Sequence, residues 1–112
     1  MTRKPPPQLR EVQLEPREAQ RVFDRLIWNI RLFLANNVVH ADLSAYNILF
    51  RDDCPCIIDL PQAVDPRRNA NAQLLLSRDL AGLCRYFARF GVAADPDELS
   101  SDMWRRFLRA EL

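Results

Sequence analysis

Glycine is scarce in this chain: Gly82 and Gly91 are the only two in 112 residues. That excludes a glycine-rich, phosphate-cradling loop anywhere upstream of Gly82. Lysine is scarcer still. Lys4 is the sole lysine among 16 basic residues, and it lies in a proline-rich stretch rather than after a strand. Neither sign of charge dominates, since the formal net charge is +1, so no overall basic field argues for nucleic acid. Arg67-Arg68 and Arg105-Arg106 read as solvated surface. No apolar run approaches the roughly 20 residues of a membrane span, and the N-terminus resembles no signal peptide, so no membrane is expected. Cysteine is limited to Cys54, Cys56 and Cys84. An odd count without an export signal reads as reduced thiols in a cytoplasmic protein. Zinc wants four ligands, and only Cys84 and His40 could join Cys54-Pro55-Cys56, so the thiols read as turn and strand residues.

What is present suits one small folded unit. Hydrophobic residues are 48% and charged residues 28%, enough for a single modest core. Three consecutive prolines make residues 1–13 an extended lead segment, because proline lacks an N–H donor. Val22, Phe23, Leu26, Ile27, Ile30, Phe33 and Leu34 recur at three- and four-residue intervals. That spacing predicts an amphipathic helix within 14–37, opened by Pro16 and ended by Asn36-Asn37, where Asn adopts a left-handed conformation. Ile48-Leu49-Phe50 and Cys56-Ile57-Ile58 flank an acidic turn, so 38–60 reads as a loop followed by a hairpin. Residues 69–112 read as two further helices. One runs from about Asn69 to Gly91; the other is opened by Asp95-Pro96 and carries Leu99, Met103, Trp104, Phe107 and Leu108 on one face. The expected fold class is α+β, mainly α-helical, with one small β-hairpin. The final helix is expected to need something to cover its apolar face.

The chemistry-bearing residues fall on the hairpin and the loop before it. His40-Ala41-Asp42 is followed by Asn47 five residues after the aspartate, and Asp59 stands at the end of Cys56-Ile57-Ile58-Asp59. A hairpin brings its ends together, so Asn47 and Asp59 are expected to be neighbours. Protein kinases use this spacing for Mg-ATP chemistry. Phosphoryl transfer needs charge neutralised and oxygens aligned more than it needs covalent help from protein. Asp59 suits the principal ligand of Mg²⁺ (or Mn²⁺), and Asn47 offers a neutral carbonyl oxygen for a second metal position. Asp42 would orient an attacking hydroxyl or water and accept its proton. His40 would brace the loop. Each residue alone reads as a turn or cap; the combination with its spacing carries the reading.

The sequence resembles the catalytic half of a RIO-family atypical protein kinase. The resemblance rests on Val39-His40-Ala41-Asp42-Leu43-Ser44-Ala45-Tyr46-Asn47-Ile48-Leu49 and on Ile57-Ile58-Asp59-Leu60-Pro61-Gln62-Ala63-Val64-Asp65. It continues through Asn69-Ala70 and Leu76-Ser77-Arg78-Asp79-Leu80. Pro7-Gln8-Leu9-Arg10-Glu11-Val12-Gln13-Leu14 is similar to the family's stretch just after the interlobe hinge. The resemblance implies a kinase-like C-terminal lobe, with Asp42 catalytic and Asn47 and Asp59 as metal and nucleotide-site residues. It implies ATP with Mg²⁺ as cofactors and Asp59 as a candidate phospho-acceptor. It also implies a partner in the small ribosomal subunit or another protein.

This sequence departs from the family's pattern upstream. The glycine loop and the phosphate-holding lysine are absent, and Ala45 stands where an acidic residue is common. The N-terminal lobe is therefore expected to be missing, and ATP binding by these residues alone to be weak. Two other functions fit parts of the pattern. A small-molecule phosphotransferase of the aminoglycoside or choline kinase type shares the His-x-Asp loop and a later Ile-Asp. A non-catalytic binding module would keep the lobe to dock on a partner, although two carboxylates converging without a cation gain nothing.

Overall fold

The computed structural model describes residues 6–112; Met1 to Pro5, with Lys4 and the start of the expected lead segment, lie outside them. Three helices and one two-stranded antiparallel sheet make up the described chain. Helix α1 spans Pro16–Ala35, strands β1 and β2 span Ile48–Arg51 and Cys54–Ile57, and α2 and α3 span Ala72–Ala88 and Pro96–Leu108. The fold is α-rich with a small hairpin, as the periodicities require.

Helix α1 begins on Pro16, whose missing N–H falls among donors that have no intrahelical partner anyway. It stops where Asn37 turns left-handed at φ 64°, with the Asn36 side chain donating to the Leu32 carbonyl at 2.8 Å. Its apolar stripe buries Val22, Phe23, Leu26, Ile30 and Leu34. Leu76, Leu80, Leu83 and Phe87 of α2 are buried in the same core, where the Phe23 and Phe87 rings meet edge-on at 5.4 Å. Each fully buried side chain of this size contributes roughly 1.5–3 kcal/mol.

Helix α2 begins three residues later than the apolar pattern suggests. The Asn69 side chain accepts from the Asn71 N–H at 2.8 Å and holds those residues in a turn instead. Gly91 follows the helix at φ 86°, a conformation that glycine adopts without a Cβ penalty. Helix α3 starts on Asp95, whose carboxylate accepts from the Asp97 and Glu98 N–H groups. Its inner face is not left bare: Met103 and Ser100 are buried, and the Ser77 hydroxyl of α2 bonds the Ser100 hydroxyl at 3.1 Å. Leu108 departs from the expected face and is 69% exposed, since it stands five residues on from buried Met103 and so about 140° round the helix from it.

The lead segment is not simply extended. Phe50 donates to the Pro7 carbonyl at 2.8 Å and Gln8 bridges to Leu49, so residues 7 and 8 lie along the free edge of β1. Leu9–Glu11 then close a 3₁₀ turn that drives Leu9 fully into the core. A buried leucine and an unpaired strand edge outweigh the prolines' preference for open chain.

Candidate active site on the loop between α1 and the hairpin

Strands β1 and β2 pair with Ile48 opposite Ile57 and Arg51 opposite Cys54. The two linking residues, Asp52 and Asp53, both take positive φ (50° and 62°), which suits the right-handed twist of a two-residue hairpin loop. That register carries one step past the strands, where Ile58 donates to the Asn47 carbonyl at 2.8 Å. Asn47 is thus opposite Ile58, and Asp59 follows directly with its backbone left-handed at φ 60°. Asp59 is exposed, and among the described residues its carboxylate has no hydrogen-bond or ion-pair partner.

Asn47 is buried and its side chain is already engaged. Its Oδ1 accepts from the Ser44 N–H at 2.7 Å, and its Nδ2 donates to the Asp42 carbonyl at 2.7 Å. The amide therefore ties the two ends of the loop that carries Asp42. One lone pair of Oδ1 stays available for a cation. His40, also buried, uses both ring nitrogens. Its Nδ1 accepts from the Asp42 N–H at 3.2 Å, which leaves Nε2–H to donate to the Ile58 carbonyl at 2.9 Å. The ring is therefore the neutral Nε2–H tautomer and links the Asp42 loop to the strand that delivers Asp59.

A second hold on the loop comes from a residue outside the stretch from His40 to Asp59. Asp79, in the middle of α2 and 5% exposed, accepts from the Ala41 N–H at 2.9 Å and from the Leu43 N–H at 3.1 Å. The two donors flank Asp42. Ala41 is left-handed at φ 72°, a conformation that costs an L-residue roughly 1–2 kcal/mol, and the Asp79 bond keeps it there. Burial pushes the Asp79 carboxyl above the usual carboxylate range. The hydrogen bonds from Leu43 and Ala41 pull it down, and Asp42 adds a smaller upward push. Arg78-Asp79 had marked only a family likeness. The available signal was a carboxylate on the apolar stripe, between Leu76 and Leu83.

Among the described residues no group of three His, Cys, Asp or Glu side chains could hold a metal ion, and all three cysteines are free thiols. The donor set nevertheless suits Mg²⁺, which binds through one or two protein oxygens and fills its octahedron with water and phosphate. Asp59 offers an open carboxylate and Asn47 an amide oxygen.

A family model described as RIO domain matches residues 2–99. The chain belongs to the RIO family. RIO-type serine/threonine-protein kinase Rio1 of Thermoplasma acidophilum is 38% identical over 95 residues, covering 85% of this chain and 48% of that protein. Serine/threonine-protein kinase RIO3 of Homo sapiens is 33% identical over 89 residues, 79% of this chain and 17% of that protein. Among solved structures, the crystal structure of the Rio2 kinase-ADP/Mg²⁺-phosphoaspartate complex from Chaetomium thermophilum superposes with a TM-score of 0.72. It is 26% identical and covers 92% of this chain and 34% of that one. The RIO chain described here thus spans under half the length of each of these relatives. No helix among its described residues is long and apolar enough to cross a membrane.

Proposed function

We propose that this RIO chain is the C-terminal catalytic lobe of a protein kinase or ATPase, acting on Mg-ATP when further polypeptide covers the phosphates. The observation that carries the reading is the double anchoring of the Asp42 loop. Asp79 holds the amides on either side of Asp42, and Asn47 holds its carbonyl, so an exposed carboxylate stands on a fixed backbone. Fixed geometry is what positioning an attacking hydroxyl requires.

In this reading Asp42 orients the acceptor hydroxyl and takes up its proton as the new P–O bond forms. Asp59 and Asn47 hold the cation, which when bound neutralises charge on the phosphate oxygens. Asp59 has a second proposed role. One of its carboxylate oxygens attacks the γ-phosphorus, the bond to the bridging oxygen breaks, ADP leaves, and water later cleaves the acyl phosphate. Its open carboxylate supports that role, and the Chaetomium relative was solved as a phosphoaspartate complex. The RIO match favours a protein acceptor or water over the small-molecule acceptor of aminoglycoside-type enzymes. A protein partner, including one in the small ribosomal subunit, and a cytoplasmic setting complete the proposal.

The test is calorimetric titration of Mg-ATP into the chain, alone and joined to the remaining length of a RIO kinase such as the Thermoplasma relative. Heat and turnover are expected from the joined protein, weak heat from the chain alone, and neither from Asp59→Asn. A joined protein that binds Mg-ATP equally well with and without the Asp59 carboxylate would sink the assignment.

A further inference from the structure

Beside the Asp42 loop, Ser44 to Tyr46 and the outer face of α2 line a cavity of about 560 Å³ to which Asp42, Asn47 and Asp59 contribute nothing. Its walls bring together three guanidinium groups, from Arg10, Arg85 and Arg89, and two phenol rings, from Tyr46 and Tyr86. No carboxylate lines it. Arg10 lies 4.5 Å over the Tyr46 ring and Arg89 lies 4.7 Å over the Tyr86 ring. Stacking holds a guanidinium flat and leaves its N–H edges to fork onto a pair of anionic oxygens. The Tyr86 ring is itself fixed, because its hydroxyl donates to the Leu9 carbonyl at 3.1 Å. Arg10 is partly compensated by Glu11, 3.9 Å away, and by the Gln8 side chain. Arg85 and Arg89 have no ion-pair or hydrogen-bond partner for their side chains among the described residues. Gathered cations without a counter-charge repel one another, and an anion in the cavity removes that cost.

Two observations choose the occupant. The chain's net charge of +1 and the local, concave placing of the arginines suit a single anionic group. A polyanion carrying a charge every few ångströms calls for a longer basic track. Leu43, which follows Asp42 directly, and Ser44 to Tyr46 line the cavity, so it lies beside the loop that carries Asp42. We propose that this cavity is a substrate-recognition subsite for a phosphorylated or acidic side chain on the protein segment presented to Asp42. Phosphate and carboxylate are two sources of the same forked acceptor, and the doubly charged phosphate is the better match to three arginines. At roughly 3.3 Å per extended residue, the span to sample is an anionic residue about two to four positions from the acceptor. Its place next to the acceptor rests on the phosphoryl-transfer reading; the binding itself does not need Mg-ATP.

The test is fluorescence anisotropy of the 112-residue chain with a labelled peptide bearing phosphoserine about three positions from an acceptor serine. Serine and glutamate analogues, oligouridine and inorganic phosphate as competitor complete the set. The phosphopeptide is expected to saturate the chain, glutamate to bind less well, and serine about tenfold more weakly or worse. Arg85→Ala/Arg89→Ala should lose about tenfold in affinity with an unchanged melting temperature. Arg89→Lys should lose part of it although the charge remains. Equal binding of the phosphoserine and serine peptides, or unchanged affinity in both variants, overturns the subsite. Tighter binding of oligouridine through the same arginines also overturns it. Asp59→Asn should bind the phosphopeptide as the wild type does. Mg-ATP binding that survives Asp59→Asn, with phosphopeptide binding intact, would therefore strike the phosphoryl-transfer reading and leave the anion site standing.

Discussion

Asp95 and Asp79 each accept hydrogen bonds from two backbone N–H groups, yet they do so over very different spans of chain. Asp95 caps α3 by accepting from residues two and three positions ahead, in an exposed turn. Asp79 accepts from Ala41 and Leu43, 38 and 36 positions back, from the buried side of α2. The local pair needs only an Asp-Pro start and a helix. The distant pair exists only because α2 packs where it does, and it fixes a loop that has no regular structure of its own. One carboxylate starts a helix; the other shapes the candidate catalytic loop.

The largest effect expected from this contrast is the loss of Asp79. Asp79→Ala leaves two loop amides without an acceptor, and chemical denaturation should show a loss of about 2 kcal/mol or more. Amide exchange at Ala41 and Leu43 should rise at the same time. Asp95→Ala should cost about 1 kcal/mol, in the range of an ordinary helix cap, and should leave those two amides unchanged. Equal costs, or equal loop exchange in both variants, would break the comparison.

Smaller in size and opposite in sign is Ala41→Gly. Glycine relieves the left-handed strain, so this variant should gain up to about 1 kcal/mol, provided that Asp79 still holds the amide. In an Asp79→Ala background the gain should shrink.

The pH dependence sharpens the comparison further. The Asp79 carboxyl is raised on folding, so the folded protein holds a proton that the unfolded chain has released. Its contribution is fully present below the ordinary carboxylate value of 3.8 and declines as pH rises through the raised folded value. A carboxyl-carbon NMR titration should place the Asp79 midpoint above 3.8. Asp65 runs the other way. Hydrogen bonds from the Arg67 side chain and backbone, with its charge, hold it at about 2, so its contribution is present above 3.8 and is lost as pH falls toward 2. Arg67→Ala should return the Asp65 midpoint toward 3.8, with little change in stability because the pair is exposed.

Much of the architecture was legible in the residues themselves. Proline at the head of α1, the two asparagines at its end, the acidic hairpin turn and the Asp95-Pro96 start each act within a few positions. The Asp42, Asn47 and Asp59 spacing pointed to one end of the hairpin, and the register brings Asn47 beside the residue preceding Asp59. The hidden parts were of another kind. Leu9 and the Pro7-Gln8 edge contact depend on a strand more than forty positions away. The arginine cavity joins the lead segment, the loop and α2, which no sequence window spans.

Sequence by itself determined the helices and the hairpin and pointed to the candidate site residues, because these follow from backbone preferences and from side chains that reach only their near neighbours. Tertiary structure alone decided which carboxylate anchors the Asp42 loop, how the Asn47 amide is spent, and where three arginines meet. Those outcomes require distant segments to be held at hydrogen-bond distance, and the hydrophobic core shared by the helices, the hairpin and the lead segment supplies the free energy to hold them there.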